Sequence, residues 1–203
     1  MNLYQSLQAT IEKAKGLEIP EDRIHILQEL ITYIQRKRDN NQDISLNFIC
    51  IHNSRRSQFC QVWAKVASEV YGVAINSFSG GLEVTAFHEK AIASIKRSGF
   101  KVIQNGDGNP NYFVFYSDDE DPIITFSKLY DDHENASEGF AAIMTCTHAD
   151  ENCPFILGAE ARIPVRYEDP KEFDGTPEEA EKYDERSLQI ASEMLYVFSK
   201  ISK

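Results

Sequence analysis

The chain is organised around one segment, Phe48-Ile49-Cys50-Ile51-His52-Asn53-Ser54-Arg55-Arg56-Ser57. The apolar residues up to Cys50 predict a strand, and residues 58–70 predict a helix that leaves the segment. A loop between a strand and the first turn of a helix points several backbone N–H groups at one place, where the helix dipole adds partial positive charge. Such donors stabilise a thiolate, and the planar guanidinium of Arg56 suits a tetrahedral oxyanion. The segment therefore predicts a cysteine nucleophile that faces a phosphate-shaped anion.

The composition fits one domain with an appendage. The 203 residues have 42% apolar content, which is enough to bury one core. No apolar run approaches the roughly 20 residues that cross a membrane, and the N-terminus lacks the basic start and apolar stretch of a signal peptide. We therefore expect a cytoplasmic protein without membrane contact. The net charge of −11 argues against nucleic acid as a partner, because binding a polyanion needs a basic face.

Strand-like and helix-like segments alternate from Ser45 onward. Strands are predicted at residues 46–51, 74–78, 112–116, 141–145 and 161–167. Helices are predicted at residues 57–70, 85–98 and 122–129, and from a Thr176 cap and Pro177 to residue 201. This alternation predicts an α/β fold, with a parallel sheet and helices on both faces. Ligands of such sheets bind beyond the carboxyl ends of the strands, which is where Cys50 falls.

The N-terminal residues 1–42 differ from the rest of the chain. Helical spacing of apolar residues predicts one helix over residues 3–15 and another after Pro20, and the polar residues 37–43 are expected to be a linker. We therefore divide the chain into a helical extension, residues 1–42, and an α/β domain, residues 45–203. The extension is expected to be a helical hairpin that packs on the core or on another subunit, as a possible means of self-association.

A second segment with two cysteines follows the fourth predicted strand: Cys146-Thr147-His148-Ala149-Asp150-Glu151-Asn152-Cys153-Pro154. Cysteines in a chain without a leader are more typical of free, catalytic or metal-bound thiols than of a disulfide framework. A segment this short can bring the sulfurs of Cys146 and Cys153 together, as thiol–disulfide exchange requires. Two other interpretations stay open. One is a zinc site that includes His148, although the spacing is not typical of zinc, and the other is a pair of ordinary buried thiols.

Two further residues complete the candidate site. Ser57 directly follows Arg56, and its hydroxyl can donate a hydrogen bond that steadies the Cys50 thiolate as a leaving group. Asp169 precedes Pro170 after the last predicted strand, and a carboxylic acid near the loop would supply the proton that a departing oxygen needs. An Asp-Pro pair that only initiates a turn is the alternative.

These motifs resemble those of the low-molecular-weight protein tyrosine phosphatase superfamily, and together they are most similar to the thioredoxin-linked arsenate reductases. Besides the Cys50–Ser57 motif, Ser79-Gly80-Gly81-Leu82-Glu83 resembles the Ser-Ala-Gly-x-Glu segment after the second strand of the superfamily. The Cys146–Cys153 segment resembles the resolving pair of the reductases, and the resemblance spans residues 47–200. It implies the low-molecular-weight phosphatase fold. It also implies an oxyanion held by the loop residues Ile51, His52, Asn53, Ser54, Arg55 and Arg56.

The resemblance further implies a sequence of reactions. Cys50 attacks arsenate while Asp169 protonates the departing hydroxide. Cys146 then attacks the Cys50–arsenic adduct and releases arsenite, and Cys153 attacks the resulting Cys50–Cys146 disulfide. A Cys146–Cys153 disulfide remains for thioredoxin, the expected external reductant. No tightly bound cofactor or metal is implied.

Some residues depart from the family pattern. Superfamily loops usually carry threonine, glycine and cysteine where this chain has Ile51, His52 and Arg55, and we expect the Arg55 side chain to be solvated. Gln61 stands where some arsenate reductases have a potassium-binding glutamate, so a bound potassium ion is not expected. Two alternatives to the reductase stay open. One is a low-molecular-weight phosphatase that hydrolyses phosphomonoesters through a phosphocysteine, and the other is a non-catalytic oxyanion-binding module.

Overall fold

A computed structural model describes residues 2–152 and 155–202. In this part of the chain the helices are α1 (Gln5–Lys15), α2 (Glu21–Asp39), α3 (Arg56–Tyr71), α4 (Glu89–Arg97), α5 (Thr147–Asn152) and α6 (Glu179–Ser199). The strands are β1 (Ser45–Cys50), β2 (Asn76–Gly81), β3 (Lys101–Asn105), β4 (Asn111–Phe115), β5 (Ile123–Thr125), β6 (Phe140–Met144) and β7 (Ala159–Pro164). A 3₁₀ helix covers Pro170–Phe173. None of the helices described is long and apolar enough to cross a membrane.

Four strands form a parallel sheet in the order β2-β1-β6-β7. Every residue of β1 is buried because the sheet has an apolar core on each face. Leu46 and Phe48 enter the larger core with side chains of α3 and α6, whereas Ile49 enters the smaller core with Ala149 of α5. This alternation is the period of two that strands impose on their side chains. The predicted α/β fold, with a parallel sheet and helices on both faces, is confirmed.

The helix predicted at residues 122–129 is wrong. The strand β5 lies there and pairs antiparallel with β4, which in turn pairs antiparallel with β3. The strand predicted at residues 112–116 therefore belongs to a second sheet, and β3 is a strand that the sequence did not indicate. The β-branched residues of β5 favour extended backbone. Gly106 and Gly108, with φ of 98° and 73°, let the chain reverse between β3 and β4.

The N-terminal helices pack on the α/β unit. Leu7 of α1 and Leu30 of α2 are fully buried in the same core as the large face of the parallel sheet. Lys37 is also buried and pairs with Glu160 of β7 at 2.7 Å. The helix α2 therefore continues to Asp39, into the region predicted to be a linker. The division of the chain near residue 43 into two domains stays a prediction.

Candidate active site

The Cys50–Ser57 segment folds as the sequence predicts, as a loop between a strand and a helix. Cys50 is the last residue of β1 and is 4% exposed, and α3 begins at Arg56. The Cys50 Sγ lies 3.1 Å from the Oγ of Ser57, which is fully buried in the first turn of α3. We call residues 50–56 the oxyanion loop. The predicted contact between the nucleophile and Ser57 is present.

Asn53 fixes the shape of the oxyanion loop. Its backbone is left-handed, with φ of 46°, and its side chain is fully buried. The amide Nδ2 donates to Ser57 Oγ at 2.9 Å, and Oδ1 accepts a hydrogen bond from the backbone N–H of Lys128 at 3.0 Å. Because Ser57 Oγ accepts from Asn53, its own hydrogen is available to Cys50 Sγ. The left-handed position is Asn53 and not His52, so the loss of the family's glycine at His52 causes no backbone strain.

The segment after β2 supports the back of the oxyanion loop. The backbone N–H groups of Leu82 and Glu83 donate to the Ile51 carbonyl at 2.7 and 2.9 Å. A Cβ on Gly81 would lie 2.7 Å from the Ile51 oxygen and 2.8 Å from the Asn53 nitrogen, distances that real Cβ atoms do not show. The glycine is therefore required where β2 meets the loop, which gives a physical reason for the second motif found in the sequence.

Arg56 and Asp169 meet at the mouth of the loop. The Arg56 Nη2 donates to Asp169 Oδ2 at 2.6 Å, and Nη1 donates to the carbonyl of Tyr167 at 3.0 Å. The Nε of Arg56 is buried and has no acceptor among the described residues. A buried donor without an acceptor costs free energy, so this N–H is available to an oxyanion in the loop. Asp169 also accepts from the Lys171 N–H and caps the 3₁₀ helix.

The prediction that Arg55 is solvated is wrong. Its side chain turns away from the loop towards α6 and is about one-tenth exposed, with Nε donating to the Tyr183 hydroxyl at 2.8 Å. Tyr183 in turn donates to Asp174 at 2.9 Å. Burial, together with its bond to Asp174, raises the pKa of Tyr183. Partial burial acts to raise the pKa of Asp174. The hydrogen bond from Tyr183 and the positive charges of Lys90 and Arg55 outweigh burial, so the pKa of Asp174 is lowered. The Arg55 guanidinium is thus engaged by α6 and Asp174.

Cys146 is the second cysteine of the candidate site. It follows β6, is 1% exposed, and belongs to the same small apolar cluster as Cys50. Its Sγ accepts the backbone N–H of Ala149 at 3.4 Å. Burial raises the pKa of the Cys146 thiol, while the N–H groups of Ala149 and Ile51 and the charge of Arg56 oppose that rise. Two buried thiols, Cys50 and Cys146, therefore belong to one apolar cluster at the carboxyl edge of the sheet.

Cys153 lies outside the described residues, so its place in the site stays a prediction, and the zinc alternative that depends on it is untested. Gln61, the position related to potassium binding in some arsenate reductases, uses its amide within the fold. Its Nε2 donates to the Ile124 carbonyl at 3.1 Å, and its Oε1 accepts from Ser79 Oγ at 2.6 Å.

Sequence reasoning missed one cluster next to Cys146. Asp150 of α5 is buried and pairs with both Arg162 and Arg166. The sequence did contain a signal for this cluster, because Asp150 lies between Cys146 and Cys153 and an arginine lies on each side of the end of β7. A spacing of 12 and 16 residues fits no local rule, however, so the contact could be found only once β7 was placed beside β6.

Several curated sequences resemble this chain. An arsenate reductase from Brevibacillus brevis is 25% identical over 126 residues, which cover 62% of this chain and 76% of the relative. An arsenate reductase from Halalkalibacterium halodurans is 24% identical over 132 residues, covering 65% of this chain and 78% of the relative. No protein-family model matches the chain.

Solved structures share the fold. A low-molecular-weight phosphotyrosine phosphatase from Vibrio cholerae O395 aligns with a TM-score of 0.51 at 14% identity, covering 77% of this chain and 94% of that one. A YwlE mutant from Bacillus subtilis aligns with a TM-score of 0.52 at 11% identity, covering 79% of this chain and 100% of that one. The chain therefore has the fold of the low-molecular-weight phosphotyrosine phosphatases, and the curated sequences that resemble it are arsenate reductases.

Proposed function

We propose that this protein is an arsenate reductase that uses Cys50 as nucleophile and Cys146 as the first resolving cysteine. One observation carries the proposal: a second buried thiol shares a cluster with Cys50 and lies within the influence of Arg56. Hydrolysis of a phosphoester needs only the nucleophile, the oxyanion loop and an acid. A reduction needs two electrons, which a pair of thiols supplies when it becomes a disulfide. The arsenate reductases among the curated relatives support the same choice.

The proposed first step joins Cys50 Sγ to arsenic and expels hydroxide, which takes its proton from Asp169. An arsenate in the loop would bind the buried Nε of Arg56 and compete with Asp169 for Nη2. Its arrival therefore frees the Asp169 carboxylate from its ion pair, so that it can take up a proton from solvent or from the bound hydrogen arsenate and pass it to the departing oxygen.

The second step is attack of the Cys146 thiolate on Cys50 Sγ. The S–S bond forms as the S–As bond breaks, and the electron pair of that bond converts As(V) into arsenite. Cys153 then attacks Cys146 Sγ and releases the Cys50 thiolate. A dithiol protein of the thioredoxin class reduces the Cys146–Cys153 disulfide and closes the cycle. We place this cycle in the cytoplasm, where the thiol pool is reducing.

The test is a coupled assay with arsenate, thioredoxin, thioredoxin reductase and NADPH. We expect NADPH consumption by the parent protein and none by Cys146→Ser. Mass spectrometry of the parent after arsenate treatment without reductant should show a Cys146–Cys153 disulfide. Cys60→Ala is the matched control, because Cys60 is another buried thiol, on α3, and has no part in the relay. Arsenate turnover by Cys146→Ser at the parent rate would refute the relay.

The second candidate is a phosphomonoesterase, which the Arg56–Asp169 pair and the shared phosphatase fold favour. The same samples would hydrolyse an aryl phosphate, and this activity should survive Cys146→Ser. Aryl phosphate hydrolysis with no arsenate-driven NADPH consumption would reverse the order of the two candidates. Self-association through residues 1–42 stays a prediction, which sedimentation analysis of the full chain would check.

A further inference from the structure

We propose that Asp150 is a positioning residue: by binding Arg162 and Arg166 together, it holds α5 over Cys146 and ties the relay segment to the loop that carries Asp169. The role in turnover rests on the proposed function, whereas the effect on Cys146 itself does not.

The contacts of Asp150 form a two-sided clamp. Its side chain is 4% exposed, and one carboxylate oxygen accepts from Arg166 Nε at 2.7 Å while the other pairs with Arg162. Arg162 also donates to the backbone carbonyl of Asp150. The side chain of Arg162 is 30% exposed and that of Arg166 is 47% exposed, so the Asp150 carboxylate is the most buried of the three charged groups. Loss of its charge would leave the partly buried Arg162 without its anion, which is costly, and would release the exposed Arg166 to solvent.

The clamp acts on Cys146 through α5. This helix has only 6 residues, too few for stability of its own, so contacts with the rest of the fold must hold it in place. Its first turn encloses the thiol: Ala149 N–H donates to Cys146 Sγ, and Asp150 N–H donates to the Cys146 carbonyl at 3.1 Å. If Asp150 lost its arginine partners, this turn would loosen. The Cys146 sulfur would become more exposed, and the Ala149 N–H that stabilises its thiolate would bind it less well.

The clamp also reaches the proton-donor loop. Arg166 is followed by Tyr167, whose N–H donates to the carbonyl of Thr145 at 3.1 Å and whose carbonyl accepts from Arg56. Asp169 lies two residues further along. One carboxylate in the relay segment therefore joins both sides of the site, the resolving thiol and the segment that engages Arg56.

The test compares Asp150→Asn with Glu151→Gln, a matched control that changes the neighbouring, exposed carboxylate of the same helix. The first readout is alkylation of Cys146 by iodoacetamide across pH 6–9, quantified at that residue by mass spectrometry. We expect Asp150→Asn to raise the rate by about tenfold as the helix loosens, and Glu151→Gln to leave it unchanged. This readout needs no arsenate.

The second readout is single-turnover formation of the Cys50–Cys146 disulfide after arsenate addition. We expect Asp150→Asn to slow it by about 10- to 100-fold, the effect of misplacing a reacting group by an ångström, while aryl phosphate hydrolysis changes less than about threefold. Asp150→Glu should recover part of the rate. Equal alkylation rates in Asp150→Asn and the parent would overturn the proposal, as would equal losses in both activities. A parent protein that is inert to arsenate, with the alkylation difference intact, would instead refute the reductase function alone.

Discussion

Replacement of Asn53 by alanine should both unfold the protein more easily and disable the nucleophile. The substitution removes the bond to Ser57 at 2.9 Å and the bond from the Lys128 N–H at 3.0 Å. Each contributes about 1 kcal/mol, and a buried N–H left without an acceptor costs about 1–3 kcal/mol. The backbone at φ of 46° adds roughly 1 kcal/mol for an alanine. We expect the free energy of unfolding to fall by about 4–6 kcal/mol, measured by urea titration.

The matched variant is Asn53→Gly, which loses the same two hydrogen bonds but accepts the left-handed backbone. It should be at least as stable as Asn53→Ala, by up to about 0.5 kcal/mol, since relief of roughly 1 kcal/mol of strain is partly offset by the added entropy of the unfolded glycine. Both variants free Ser57 from its orientation, so aryl phosphate and arsenate turnover should fall by about tenfold or more in each. A loss below about 1 kcal/mol for Asn53→Ala, or turnover unchanged in a folded Asn53→Gly, would refute the view that Asn53 organises the loop.

Two further predictions concern stability. Burial lowers the pKa of Lys128 to about 8 from its ordinary value of 10.5, so the folded protein releases this proton before the unfolded chain does. Above pH 10.5 the buried Lys128 is neutral and does not lower the unfolding free energy. This stability is lost as the pH falls through 8, where the buried amine must become charged. The contribution of Lys128 to the unfolding free energy should therefore rise across this range by up to about 3 kcal/mol. Lys128→Met should be more stable than the parent at pH 7 and lose most of that advantage by pH 10.5, as urea titrations of both proteins at several pH values will check. Gly80→Ala should lower the stability by about 1–3 kcal/mol because its Cβ would lie 2.3 Å from the Tyr130 Cα; an unchanged melting temperature in calorimetry would contradict that clash.

The parts of the site that could be predicted from sequence are those that are contiguous in it. The strand, loop and helix around Cys50 follow one another without interruption, so local propensity and the strand–loop–helix geometry suffice to place the nucleophile beside Arg56 and Ser57. The carboxyl-edge rule for parallel sheets then brings Cys146 to the same place, because β6 pairs with β1. Both inferences, the position of Cys50 and that of Cys146, follow from the order of the strands alone.

The parts that could not be predicted depend on long-range packing. Arg55 is adjacent to Arg56, yet its direction is set by Tyr183 on the last helix, 128 residues away. β5 has only 3 residues and is stabilised by its pairing with β4, so an apolar window there fits a helix equally well. The Asp150 clamp has the same character, since its partners come from a strand whose position is set by the sheet.

Burial of Cys146 also gives the order of the two proposed chemical steps. Cys50 lies next to the Ser57 hydroxyl in the oxyanion loop, whereas Cys146 is 1% exposed and burial raises the pKa of its thiol, which disfavours the nucleophilic thiolate. In the proposed mechanism, the reaction at Cys50 must come first. Only then does Cys50 Sγ carry arsenic, the leaving group that Cys146 displaces. The donors that oppose the rise, the N–H groups of Ala149 and Ile51, belong to α5 and to the oxyanion loop themselves. In the proposed mechanism, one donor that favours the Cys146 thiolate therefore belongs to the loop that would bind the oxyanion and the other to α5, so the reactivity of Cys146 would depend on α5 keeping its place.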